Sequence, residues 1–401
     1  MQQEFYYVII GNGVAGLSAA EAIRQNDAYR TIAVISDENY LTYMRLVLSH
    51  HLGENILPEV LYIHPQSWYD KENISIILNT KTIGIDTDGK VLKTDKGDIN
   101  YTKLIIASGS YCFIPPVDGS DKKGVFALRG MDDLIEINHA IEQSSKAIVI
   151  GGGLLGLESA WAIKQKGIDV TVLEFFPRIL PRQMDDEGSV ILEGIIENLG
   201  IELYLGVEAA NISGDDKADG VVLKDGRFIS GDFVLFSSGV RPHVEFVKDT
   251  PISLNKGIVV DEYMRTDVPD IYAAGDVAEY KGAIPGIWPI ASAQGKIAGI
   301  NAAGEQEKYK TIPPSNTLKV MGIDCFSVGN IDNRENRFKE IKYTGDTEYY
   351  KLFLDGNRLV GAIMLGDISK SVRLRSFIEQ GKDMSDYLVS DNAKEIIEKL
   401  S

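Results

Sequence analysis

Two glycine-rich runs carry the clearest chemistry in this chain. Gly11, Gly13 and Gly16 stand in IIGNGVAG, and Gly151, Gly153 and Gly156 stand in VIGGGLLG, both with the spacing G-x-G-x-x-G. In that spacing the first glycine makes a tight turn, the second lets a pyrophosphate approach the backbone, and the third lets a helix pack closely on a strand. The helix that follows offers free N–H groups and a partial positive charge to the phosphate. Binding of two dinucleotides is therefore the expected chemistry. Glu174, 23 residues after Gly151, sits where an acid would take the ribose hydroxyls of an adenine nucleotide. That favours NADH over NADPH, because a carboxylate there repels a 2′-phosphate; Arg178, close by, tempers the preference. In the first run the same place holds Ser36, with Asp37 and Glu38 just beyond, and Glu38 is taken as the ribose ligand.

Cys112 and Cys325 are the two cysteines, far apart and outside any C-x-x-C. A disulfide framework, a cysteine-ligated iron–sulfur cluster and a dithiol redox centre are thereby excluded, and no metal site is expected. Any redox chemistry must use a bound cofactor.

The elements that position these residues repeat. FYYVIIGNGVAGLSAAEAI recurs in outline as KAIVIGGGLLGLESAWAI, with Gly11 and Gly151 140 residues apart. Each copy reads as an apolar strand (residues 7–10 and 147–150), the glycine turn, a helix rich in Ala, Leu and Ile, and a second apolar strand, which is a βαβ unit. A chain of 401 residues with 44% hydrophobic and 25% charged residues has material for two or three folded domains and no compositional case for disorder. The formal charge, 41 minus 58 or −17, repels a phosphate backbone and argues against nucleic acid as a partner. That acidity is uneven: residues 1–304 hold 26 Lys and Arg against 42 Asp and Glu, and residues 305–401 hold 15 against 16. No apolar run approaches the roughly 18 residues of a membrane span, and the apolar start lacks the flanks of a signal peptide. A cytoplasmic protein with no membrane partner is expected.

Two further runs point to a family. LIIASGS at 104–110, with Ala107 and Gly109, and IYAAGDVAEY at 271–280, with Gly275 and Asp276, resemble the strand-end and Gly-Asp motifs of FAD-dependent pyridine nucleotide reductases of the glutathione reductase structural class. With both glycine runs, the resemblance covers residues 1 to about 304. SSGVRP at 237–242, containing Gly239, resembles the crossover between that family's two nucleotide domains. The resemblance implies an α/β fold with two Rossmann-like dinucleotide-binding domains and a small α+β C-terminal domain. It places an FAD domain at 1–111 and 238–304, an inserted NAD domain at 112–237, and the C-terminal domain at 305–401. It also implies tightly bound FAD at Gly11 and NADH as cosubstrate at Gly151. Asp276 suits this as an acceptor of hydrogen bonds from sugar or ribityl hydroxyls.

Finer motifs resemble one branch. YMRLVLSHHLGEN at 43–55 is similar to the R-x-x-L-S segment of NADH:rubredoxin oxidoreductases and of the FAD domain of NADH-dependent nitrite reductase large subunits, as is TLKVMGIDCFSVGN at 317–330. Branches that carry a redox cysteine near position 44 are set aside, since Tyr43, Met44 and Arg45 stand here. Some ferredoxin reductase relatives carry a lysine where this chain has His50, so a lysine role does not carry over. Glu158 matches a glutamate that in this family reaches the flavin and nicotinamide interface. Partly desolvated, it would want a cation, with Arg45 or His50 the candidates. Glu158, Arg45 and His50 are accordingly the catalytic candidates.

Beyond residue 304, YYKLFLDGNRLVGAIML reads as a hairpin turning at 355–357, and SDYLVSDNAKEIIEKL closes a domain that resembles the family's small C-terminal one. Within it Lys370, Arg373 and Arg375 form an acid-free basic run, which reads either as a docking patch for an acidic rubredoxin or as an ordinary solvated helix face. The domain offers itself for docking a partner or for pairing two copies in a homodimer. The activity implied is hydride transfer from NADH to flavin, then electron delivery to rubredoxin. Alternatives are an electron-input subunit for a nitrate or nitrite reductase, ferredoxin or dioxygen as acceptor, or a non-catalytic redox sensor. The sensor's mark would be a basic surface or a long interaction insert, and the sequence has neither.

Overall fold

A computed structural model describes residues 3–320, 322–333, 335–388 and 390–400. Met321 and Val389, which fall in two of the C-terminal segments singled out above, lie outside the described residues. The chain divides into two compact units. One comprises Met1–Val47, Ile56–Tyr111 and Val240–Thr311; the other comprises Leu48–Asn55, Cys112–Gly239 and Ile312–Ser401.

In the first unit, strands Ile74–Ile77, Ile32–Ile35, Gln3–Ile10 and Gly97–Ile106 lie side by side and parallel. The end of Gly97–Ile106 also pairs in parallel with Ile271–Ala273, and its start pairs antiparallel with Val91–Thr94. The apolar runs VII and IAVI are buried throughout, as expected of parallel strands covered on both faces. Helix Val14–Asn26 follows the first glycine turn and packs on helix Trp288–Ala302. Small residues make that approach feasible: a Cβ on Gly295 would lie 2.1 Å from the carbonyl oxygen of Ala15, and one on Gly299 2.4 Å from that of Ala19. The run ASAQGKIAG is thus a helix–helix contact surface.

The second unit holds a five-stranded parallel sheet in the order Ile201–Leu205, Asp169–Glu174, Lys146–Ile150, Phe233–Phe236, Val125–Ala127, and a three-stranded meander of Ala209–Ser213, Gly220–Leu223 and Phe228–Ser230. It also holds the chain's last ninety residues. These form a five-stranded antiparallel sheet with helices Ser371–Gln380 and Ala393–Glu398, built around Phe326, Leu352, Leu374, Phe377 and Ile396. The expected hairpin is Tyr349–Asp355 and Arg358–Leu365, turning at Gly356 and Asn357.

One polar cluster joins this antiparallel sheet to helix Asp186–Asn198. Asp185 caps the helix by accepting the Gly188 N–H at 3.1 Å, and its other oxygen takes the Tyr349 hydroxyl at 2.6 Å and the Lys351 ammonium at 2.9 Å. Lys351 also reaches Glu340 at 2.8 Å and is only 7% exposed. Burial pushes against charge on both groups. The Tyr349 and Lys351 contacts nevertheless hold the Asp185 carboxyl below its ordinary range, and Glu340 and Asp185 hold Lys351 above its own.

Candidate functional site

Each unit builds a cradle at the carboxyl end of its parallel strands, where open α/β sheets bind ligands. The two cradles share one backbone pattern. Gly11 N–H donates to Ile35 and Ala107 N–H to Ile10; in the second unit Gly151 N–H donates to Leu173 and Ser237 N–H to Ile150. The first glycine of each run has a positive φ, +103° and +125°, and a Cβ there would lie 2.1 Å from the Ala107 oxygen or 2.3 Å from the Ser237 oxygen. At Gly16 and Gly156 a Cβ would lie 2.0 Å from the carbonyl oxygen of the first glycine. Only glycine fits these places.

Gly13 and Gly153 differ in kind. A Cβ on either meets no protein atom within 4 Å, so the space above the turn is open. Both residues are N-caps without a side-chain bond, and neither following helix has an acid in its first turn. Elsewhere Asp185 and Asn392 cap their helices with side-chain oxygens. Two uncapped, acid-free helix starts under open space suit the diphosphate of a dinucleotide, which would supply the missing acceptors.

The nearby acids lie differently in the two cradles. In the second, the residue between the first two glycines is Gly152, whose N–H donates to Glu174 Oε2 at 2.6 Å, while Phe176 N–H donates to Oε1 at 2.8 Å. Glu174 is therefore buried against the turn. Arg178 does not face it as a free cation: its Nη1 lies 2.5 Å from Asp186 and its Nη2 donates to the Pro181 carbonyl at 3.1 Å. In the first cradle Asn12 stands between the first two glycines, and its side chain bonds the Tyr40 carbonyl and the Thr42 hydroxyl. The place of Glu174 is taken by Ser36, and Glu38, two residues further on, takes the Tyr43 hydroxyl at 2.8 Å and Arg45 at 2.9 Å.

Gly275 has φ +81°, and its N–H donates to Gln294 Oε1 at 2.9 Å. The neighbouring Asp276 accepts the Ser110 hydroxyl at 2.8 Å. Gly109 and Gly239 have φ of +68° and +89°. A Cβ on Gly239 would meet no protein atom within 4 Å. Ser110 and Gln294 beside Asp276 and Gly275, and Ser237 beside Gly151 in the other unit, are not singled out by the sequence analysis. Ser110 and Ser237 lie inside the runs LIIASGS and SSGVRP, so position alone could have flagged them.

Glu158 is placed with Ser49 and His50. The Ser49 hydroxyl donates to Glu158 Oε2 at 2.9 Å, and burial raises the Glu158 carboxyl above its ordinary range against the smaller opposing effects of Ser49 and His50. Arg45 belongs to the first unit, where its guanidinium pairs with Glu38 and lies 4.7 Å over the Tyr43 ring. His50, one of the two partners considered for Glu158, lies in the same unit and acts on its carboxyl. A folded-state carboxyl raised above its unfolded value contributes stability that is fully present below about pH 4.3 and is lost as pH rises toward the elevated value. Glu158→Gln should therefore melt with the wild type near pH 4 and above it at neutral pH. A melting difference that stays flat from pH 4 to 7.5 would contradict this assignment.

The basic run does not form a common free patch. Lys370 donates to the Leu400 carbonyl at 2.6 Å, Arg375 pairs with Glu379 at 3.4 Å, and Arg373 lies over the Phe377 ring. Cys325 is buried, which pushes its thiol up to about 12, and the Cys112 thiol faces the Leu128 carbonyl at 3.4 Å. Among the described residues no cluster of three His, Cys, Asp or Glu could hold a metal ion, and no helix is long and apolar enough to cross a membrane.

The profile of the pyridine nucleotide-disulphide oxidoreductases matches residues 5–295, and that of the rubredoxin NAD+ reductase C-terminal domain matches residues 314–382. The chain belongs to the pyridine nucleotide-disulphide oxidoreductase family. Within it, the chain is 35% identical to the NADH-rubredoxin oxidoreductase of Clostridium acetobutylicum, over 94% of each chain. A crystal structure of NADH:rubredoxin oxidoreductase from the same organism superposes with a TM-score of 0.84 at 34% identity, covering 99% of this chain and 100% of that one. The nitrite reductase [NAD(P)H] of Bacillus subtilis (strain 168) is 36% identical over 94% of this chain and 48% of its own length. The chain thus spans about half the length of the nitrite reductase and nearly all of the NADH-rubredoxin oxidoreductase.

Proposed function

We propose that this chain is an FAD-dependent NADH oxidoreductase that passes electrons to a small acidic electron-transfer protein such as rubredoxin. The observation that carries this reading is the similarity to NADH-rubredoxin oxidoreductase over 94% of both chains, with the C-terminal domain profile included. In this reading residues 1–111 and 238–304 form the FAD domain, 112–237 the NAD domain and 305–401 the C-terminal domain. Gly11, Gly13 and Gly16 would receive the FAD diphosphate, with Glu38, Arg45 and Asp276 on its sugar and ribityl hydroxyls and Ala107, Gly109 and Gly275 shaping the cradle. Gly151, Gly153 and Gly156 would receive NADH, with Glu174 toward its ribose and Gly239 in the crossover.

When bound, FAD supplies a two-electron hydride acceptor that can release electrons singly. The chain's own part is alignment and charge. The two helix starts anchor the diphosphates, Arg45 neutralises Glu38, and Ser49 orients Glu158, whose burial favours its protonated form. Neither cysteine is placed as a thiol relay, so electrons would leave directly for an outside acceptor. The cytoplasm, where reduced pyridine nucleotide is available, is the proposed location.

Anaerobic stopped-flow reduction of the holoprotein by NADH and by NADPH, followed by oxidised rubredoxin, tests the reading. Fast bleaching by NADH, weak bleaching by NADPH and fast reoxidation by rubredoxin are expected. Absence of reduction by either nucleotide would sink the enzyme reading in favour of a sensor. A second reading rests on the similarity to a nitrite reductase of which the chain spans half: electron input for a nitrate or nitrite reductase. Fast reduction without reoxidation by rubredoxin would favour it, with ferredoxin and dioxygen as the remaining acceptors to compare.

A further inference from the structure

Residues 48–55 belong to the second unit, although the chain on either side of them belongs to the first. They begin inside the seven-residue 3-10 helix Arg45–His51 and turn at Gly53, which has φ +73°. Runs of 3-10 helix beyond about three or four residues have poor hydrogen-bond geometry, so this stretch must be held by packing and by polar partners outside it. Leu48, Ser49 and Leu52 supply the packing, all buried. Asn138, on helix Met131–Glu142, supplies the polar hold. Its Oδ1 accepts the Gly53 N–H at 2.6 Å, and its Nδ2 donates to the carbonyls of Glu54 at 2.8 Å and His51 at 3.2 Å. One amide side chain thus closes the 51–54 turn from outside. Lys166 backs the same turn: a Cβ on Gly53 would lie 2.5 Å from the Lys166 Cγ, and the Lys166 ammonium lies 3.6 Å from Glu54, whose other oxygen is 2.8 Å from His51 Nδ1.

What this stretch carries is Ser49, whose hydroxyl donates to Glu158 Oε2 at 2.9 Å on helix Leu154–Lys164, the helix that follows the second glycine turn. The bonds of Asn138 go to the turn that starts two residues beyond Ser49, so its side chain acts on Glu158 through the stretch. We propose that Asn138 is a positioning residue: by clamping the 51–54 turn it holds the Ser49 hydroxyl on Glu158 and keeps that carboxyl aligned for hydride transfer. The inference rests on the reading that Glu158 serves where NADH meets the flavin. Burial favours the protonated form of Glu158, and Ser49 and His50, both on this stretch, act the other way. A stretch released at Asn138 loses the Ser49 contribution, which leaves burial less opposed.

The test follows two quantities in the purified holoprotein: the carbonyl stretch of the protonated Glu158 carboxyl, identified as the infrared band that Glu158→Gln lacks, and the anaerobic rate of flavin reduction by NADH. In Asn138→Ala the band should persist to higher pH, as it should in Ser49→Ala. Because Asn138 acts through Ser49, the shift in the double variant should be smaller than the sum of the two single shifts. The reduction rate at saturating NADH should fall about 10- to 100-fold, with the half-saturating NADH concentration and the flavin content of the wild type. Gly53→Ala, which strikes Lys166 and leaves Asn138 in place, should reproduce the pattern. A band that titrates as in the wild type in both Asn138→Ala and Gly53→Ala, or single shifts that add in full, would overturn the clamp. Glu158→Gln separates the two levels. If its flavin is reduced as fast as that of the wild type, the reading of Glu158 is wrong; if its reduction is slow while that of Asn138→Ala is not, the clamp alone is wrong.

Discussion

Gly153→Val is expected to keep its fold and its flavin while its affinity for NADH drops about 100-fold or more. Gly153 has φ −81°, an ordinary value for an L-residue, and a Cβ there meets no protein atom within 4 Å. The valine side chain is therefore tolerated by the protein and excluded only by what should sit above the turn. Each charge-assisted bond from a helix-start N–H to a phosphate contributes about 1.5–3 kcal/mol, so displacing the diphosphate from two of them accounts for a loss of that order. Gly13→Val, with φ −88° and equally open space, should yield folded protein with little flavin. Gly156→Ala makes the contrasting control: its Cβ would lie 2.0 Å from the Gly151 carbonyl oxygen, so it should disturb the fold itself. Flavin absorbance per protein, circular dichroism and the NADH concentration dependence of flavin bleaching separate these outcomes. Wild-type NADH affinity in Gly153→Val would contradict the placement of the nucleotide.

Lys351→Met is expected to destabilise the second unit by about 3–5 kcal/mol, because removing one partner of a buried ion pair leaves Asp185 desolvated without its countercharge. Two carboxylates, Asp185 and Glu340, share this ammonium, and Asp185 also caps helix Asp186–Asn198. For a unit of this size the loss corresponds to roughly 10 °C in melting temperature. Lys342→Met is the matched control: Lys342 pairs with Glu187 at 2.7 Å, but both side chains are about half exposed, and such pairs contribute about 0–1 kcal/mol. The pH dependence has a definite sign. Asp185 and Glu340 are held below their ordinary range, so their contribution is present above that range and disappears as pH falls through the depressed values. The gap between wild type and Lys351→Met should accordingly narrow in acid. Equal melting of the two Lys variants at pH 7 would refute a stabilising role for this cluster.

Much of the fold was legible along the chain, and the reason is locality. A glycine turn, the apolar strand before it and the helix after it are contiguous, so the spacing of Gly11, Gly13 and Gly16, repeated at Gly151, Gly153 and Gly156, announces two βαβ units without tertiary information. The absence of a redox cysteine at Tyr43, Met44 and Arg45 was equally plain. Lys351 shows where such reading stops. In YYKLFL it occupies one place of an apolar run, and Tyr349 to Leu354 are all buried. Only the folded chain shows that the lysine is buried with them and why that is tolerable, since Asp185 lies 166 residues away in sequence.

The same divide runs through the candidate site. Spacing from the glycine turns marked Glu174 and, two residues past the equivalent place, Glu38, while Glu158 was marked by the resemblance to the family. What each carboxylate does was decided in three dimensions. Ser49 meets Glu158 across 109 residues, the Gly152 N–H draws Glu174 under the turn, and Asp186 withdraws Arg178 from Glu174. The sequence by itself marked the two glycine turns with their βαβ units through local spacing, while the order of the two nucleotides came from the resemblance to the family. The tertiary structure alone decided the partners and burial of the charges around them, because hydrogen bonding and desolvation depend on groups that only folding brings together.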